Sequence, residues 1–180
     1  MAFADERAIA DEGLARLGSA PSAVLPPVAK RIREVRLRLG ISEQEVAHRW
    51  GVQPSMYWDL EQRDDELFTC VDFRKLPGLA TALELPLMVL LFGEEPKVRP
   101  PEVSYAEVAA GIQRRLTDEG LTLDALSDAV GWELGGVLED PESLAAFNIS
   151  GVYDVCQSVG VDWIGLLAHE SRGHRTSGCS

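Results

Sequence analysis

Apolar residues recur at three- and four-residue spacing along most of this chain, and glycine or proline interrupts each run, which predicts a series of short amphipathic helices. Val28, Ile32, Val35 and Leu39 form one stripe and predict a helix over 28–39, flanked by Lys30, Arg31, Arg33, Arg36 and Arg38. Leu37 points away from that stripe and calls for packing against an N-terminal helix or a second subunit. Gly40 supplies a left-handed stop, and Ser42-x-x-Glu45 reads as a capping box opening the next helix. Val46 and Trp50 face inward there, and Gly51 makes a tight turn. A third helix then starts at Pro54 with Gln53 as its cap, and carries Tyr57 and Leu60 on its core side. A charged loop, 63–66, leads to a helix from about Asp72 to Glu84. A last short helix opens at Pro86 and buries Leu87, Leu90 and Leu91. Upstream, Phe3, Ala10, Leu14 and Leu17 line one side of an amphipathic helix over about 3–18.

Much of this pattern occurs twice. Ile32…Gly40-Ile41-Ser42…Val46-Ala47…Gly51-Val52 matches Ile112…Gly120-Leu121-Thr122…Leu126…Gly131-Trp132 at an offset of 80 (120 − 40). Leu76, Leu79, Leu83, Leu85, Leu87, Leu90 and Leu91 match Val152, Val155, Val159, Val161, Trp163, Leu166 and Leu167 at an offset of 76 (152 − 76). Such self-similarity points to two copies of one helical unit. The expected organisation is an N-terminal helix and linker (1–27), a first unit (28–95), a Pro-rich linker (96–102), a second unit (103–170) and a flexible tail (171–180).

The stretch Ile41-Ser42-Glu43-Gln44-Glu45-Val46-Ala47-His48-Arg49-Trp50-Gly51-Val52-Gln53-Pro54-Ser55-Met56-Tyr57-Trp58-Asp59-Leu60-Glu61 resembles the Cro/C1-type (XRE) helix-turn-helix family. The resemblance spans about 28–94 and implies an all-α fold: two tandem Cro/C1-like (lambda-repressor-like) bundles behind an N-terminal helix, the second copy degenerate. It implies a non-enzymatic regulator whose third helix enters the major groove of double-stranded DNA. Gln53, Ser55, Trp58 and Gln62 are then the reading-helix candidates, and Arg31, Arg33, Arg36, Arg38 and Arg49 the candidates to hold the backbone. Glu43 stands where the family usually has glutamine, and Asp59 where a basic or polar residue is common.

Charge opens a second reading. The 180 residues carry a formal net charge of −12. From 100 to 170 only Arg114 and Arg115 oppose 13 acids, whereas a duplex-binding surface is normally basic. The second copy's counterpart of the reading helix holds Gly135 and Gly136 with Glu133, Glu139 and Asp140, an acidic face suited to a protein or to self-association. The alternative function is therefore an antitoxin-, immunity- or adaptor-like module that meets a basic protein. Its candidate contacts are Leu37, Trp58, Glu133, Glu139 and Asp140. Three scattered cysteines fit reduced thiols. His169, His174 and Cys179 fit no zinc spacing, so no metal or cofactor is expected. With no leader-like or membrane-spanning run, the expected location is cytoplasmic.

Overall fold

The computed structural model describes residues 27–98 and 100–176, with side chains as far as Glu170. The expected N-terminal helix and the last four residues lie outside it. The described chain is all-α: eleven α-helices, two short 3-10 helices and no strand. None of these helices is long and apolar enough to cross a membrane.

The first run is α1 (Val28–Leu39), α2 (Glu43–Trp50), α3 (Pro54–Gln62), α4 (Glu66–Cys70), a 3-10 helix (Phe73–Lys75), α5 (Leu76–Ala82) and α6 (Leu87–Phe92). Gly40 and Gly51 close α1 and α2 at φ +68° and +76°, a conformation that costs glycine little. The Ser42 side chain accepts the Glu45 amide at the start of α2. Two expectations change here. Gln53 gives α3 no side-chain cap. The charged loop ends early in α4, because Leu67 and Phe68 are both buried, and the helix expected from Asp72 begins only after a 3-10 turn.

The second run is α7 (Tyr105–Glu119), α8 (Leu123–Val130), α9 (Gly135–Glu139), a 3-10 helix (Pro141–Ala146), α10 (Ile149–Ser158) and α11 (Trp163–Thr176). Ser104 and Glu107 form a reciprocal capping box on α7, which holds the Glu107 carboxyl below its ordinary range. Gly135 and Gly136 occupy the first turn of α9, not its interior. The last helix runs on to Thr176, into the stretch expected to be a tail.

One hydrophobic cluster passes through both runs. At their junction Asp72 and Asn148 form an isolated antiparallel bridge. The Phe73 amide donates to the Phe147 carbonyl at 2.8 Å, and Asn148 Nδ2 donates to the Thr69 carbonyl at 2.6 Å. Positive φ recurs at matching places: Gly40 with Gly120, Gly51 with Gly131, and Glu84 with Gly160.

Candidate nucleic-acid interface

Helices α2 and α3 pack together across the Gly51–Gln53 turn. The inner face of α3 is Tyr57, Leu60 and Glu61, all buried. Its outer face is Pro54, Ser55, Trp58 and Gln62, with Gln53 just before it. Trp58 is 50% exposed, unusual for so large an apolar side chain. Asp59 is half-buried and lies 3.6 Å from Arg63.

The candidate arginines divide into two groups. Arg36 turns inward and is only 10% exposed in its side chain. It donates twice to Glu61, Nε to Oε1 at 2.5 Å and Nη2 to Oε2 at 2.8 Å, and once to the Ile41 carbonyl at 3.2 Å. This forked, charge-assisted pair ties α1 to α3. Glu61 raises the Arg36 pKa above its ordinary value, chiefly through the hydrogen bond. Arg36 therefore anchors α3 from behind, and its guanidinium is not free to grip a phosphate as the sequence suggested. The neighbouring Tyr57 hydroxyl is buried without a well-formed hydrogen bond, and desolvation pushes its pKa up.

Arg31 reaches the end of α6, where Nη1 donates to the Leu90 and Leu91 carbonyls at 2.7 and 3.0 Å. Arg49 lies 2.9 Å from Glu45 and 3.2 Å from Glu84, so its charge is largely compensated. Arg33 and Arg38 remain exposed and form no ion pair with the described residues. Lys30 lies 3.8 Å from Glu34 in an exposed contact of little strength. Glu43, at the N-terminus of α2, lies 3.5 Å from Arg36 Nη2, so the two are weakly paired.

The face built by α2 and α3 thus offers polar and aromatic groups, with Arg33 and Arg38, unpaired among the described residues, on the neighbouring α1. The role of Glu61 escaped the sequence reading. A signal was present: Glu61 follows Tyr57 at i+4 on the core side of α3, and Arg36 follows Ile32 at i+4 on α1. A carboxylate and a guanidinium both on core-facing stripes imply each other.

On the second run, Glu133, Glu139 and Asp140 are all exposed. Two of them serve local structure. Glu133 accepts the Gly135 amide at 2.9 Å, and Asp140 accepts the Glu142 amide at 3.2 Å. Arg115 is spent on the Ser158 carbonyl and on Glu119. A shallow groove runs along α7 to Leu138 of α9.

Comparison with known protein families, with curated proteins and with solved structures found no match in any of the three.

Proposed function

We propose that this chain is a tandem of two diverged Cro/C1-like helix-turn-helix units, and that the first is the DNA-binding module of a transcriptional regulator. The observation that carries the reading is α3. Its inner face is locked to α1 through Arg36 and Glu61, and its outer face leaves Gln53, Ser55 and Gln62 open to base edges. Gln53 suits adenine, and Ser55 suits a base edge or a phosphate. The equivalent turns at Gly40/Gly120 and Gly51/Gly131 support the tandem. In this reading Arg33 and Arg38 hold the backbone, and the acidic second unit acts in self-association or binds a co-regulator.

Two free arginines make few phosphate contacts, so binding should be weak and its salt slope shallow. Each neutralised phosphate contributes about −0.9 to the slope of log K against log salt. Fluorescence titration with promoter and mixed-sequence duplexes at two salt concentrations tests this. Arg33→Ala with Arg38→Ala should flatten the slope, and Gln53→Ala should erase the preference between sequences. No binding at low salt removes the reading.

A second reading rests on Trp58 and on the pairing of Arg31, Arg36 and Arg49. In it the units keep the helix-turn-helix architecture and dock a basic protein through acidic surface, with Trp58 as an anchor. Trp58→Ala should then abolish capture of that partner while the helix content stays unchanged.

A further inference from the structure

The groove on the second run is lined by Ala110, Gln113, Arg114 and Thr117 of α7 and by Leu138 of α9. Moved back by the repeat offset of 80, these positions are Lys30, Arg33, Glu34, Leu37 and Trp58. The register therefore places Leu37 and Trp58 on one face, between α1 and α3. They are 58% and 50% exposed, two of the three large apolar side chains left open among the described residues. Lys30, Arg33 and Arg38 are exposed on the same helix as Leu37, whose one acid, Glu34, pairs with Lys30.

We propose that the occupant of this face is the chain's own N-terminal segment, residues 3–18, laid along α1. Three observations support this occupant. The segment has its apolar positions on one side, Phe3, Ala10, Leu14 and Leu17, which match an apolar pair. It carries Asp5, Glu6, Asp11 and Glu12 against Arg7 and Arg16, which complements a cationic rim. It joins the described chain at Pro27, immediately before α1. The 12 residues of α1 span about 18 Å. The nine residues from 19 to 27 reach up to about 30 Å, enough for the segment to double back. Docked there, it covers the flank of the reading helix. The inference takes its register from the tandem reading, and the test separates the two.

The test uses the full chain, isotope-labelled, with Cys70→Ser and Cys179→Ser and a nitroxide on Ala8→Cys, opposite the apolar side of the segment. The Leu37 amide and the Trp58 indole N–H signals should be lost to paramagnetic broadening. They should return with Leu14→Asp and Leu17→Asp. In a mixture of spin-labelled and isotope-labelled chains neither should broaden. Broadening in the mixture means that a second copy covers the face and overturns the proposal. No broadening in either sample also overturns it. A nuclear Overhauser contact between the Leu37 methyls and the Trp58 ring reads the register alone. Its absence would fault the tandem alignment, whereas its presence without broadening would fault only the docking.

Discussion

Asp72 and Asn148 stand 76 residues apart and face each other as an antiparallel bridge, the same separation that aligns Leu76 with Val152 and Leu90 with Leu166. Phe92 of α6 and Trp163 of α11 extend the junction, with ring centroids 6.3 Å apart. The two runs thus share one hydrophobic core.

A shared core predicts one cooperative unfolding transition. Asn148→Ala removes the bond to the Thr69 carbonyl and the cap on the Gly151 amide at 2.8 Å. The expected cost is about 1–2 kcal/mol, read as a lower urea midpoint with an unchanged slope. Two resolved transitions in the unmodified chain would show that the halves are independent.

The Arg36–Glu61 pair should be a strong stability determinant. Glu61→Ala leaves the buried guanidinium with only its weak contact to Glu43 and should cost about 3–5 kcal/mol. Arg36→Met with Glu61→Met removes both charges and should cost far less than the sum of the single changes. A double-mutant cycle by chemical denaturation measures the coupling. Additive losses would mean that the pair is not desolvated as its geometry implies.

The all-α class was legible in the chain because the apolar period and the stops at Gly40, Gly51, Gly120 and Gly131 are local properties. So were the inward positions of Val46, Trp50, Tyr57 and Leu60. What was illegible depends on partners far away in sequence. Arg36 and Arg31 look like any surface cations until Glu61 and the end of α6 arrive beside them. The 3-10 turn follows Asp72 where that residue bridges the distant Asn148, and α4 buries Leu67 and Phe68. The outward positions of Ser55, Trp58 and Gln62 on α3 follow from its helical period, whereas the availability of each arginine was not readable.

Asp154 should give a measurable pH signature. Burial raises its carboxyl pKa, with the Trp132 indole hydrogen bond at 3.3 Å opposing in part. An acid with a raised folded-state pKa ionises more readily when unfolded, so its contribution is greatest at low pH. That contribution falls as pH rises from about 3.9, the unfolded value, through the folded value. Asp154→Asn keeps an acceptor for Trp132 and removes the titration. The variant should melt higher than the unmodified chain at neutral pH, and the difference should vanish at acid pH. A difference independent of pH would sink the assignment.

Trp50 and Trp132 lie on opposite sides of their turn glycines, Gly51 and Gly131, yet they dock at corresponding places. Trp50 Nε1 donates to the Lys75 carbonyl at 2.9 Å and its ring covers Gly78. Trp132 donates to Asp154 and covers Gly151. At the offset of 76, Lys75 answers Gly151 and Gly78 answers Asp154. The two glycines differ in how much room the indole leaves. A Cβ on Gly151 would lie 2.8 Å from the Trp132 ring, which is further held by stacking on Phe147 at 5.1 Å between centroids. A Cβ on Gly78 would lie 3.1 Å from the edge of Trp50, a contact that a small tilt relieves. Gly151→Ala should therefore cost about 1–3 kcal/mol by overpacking and perturb the near-ultraviolet dichroism of Trp132. Gly78→Ala gains up to about 1 kcal/mol of helix propensity within α5 against a milder clash, and should be close to neutral. Equal losses at the two sites would mean that the indoles are not held as the geometry describes.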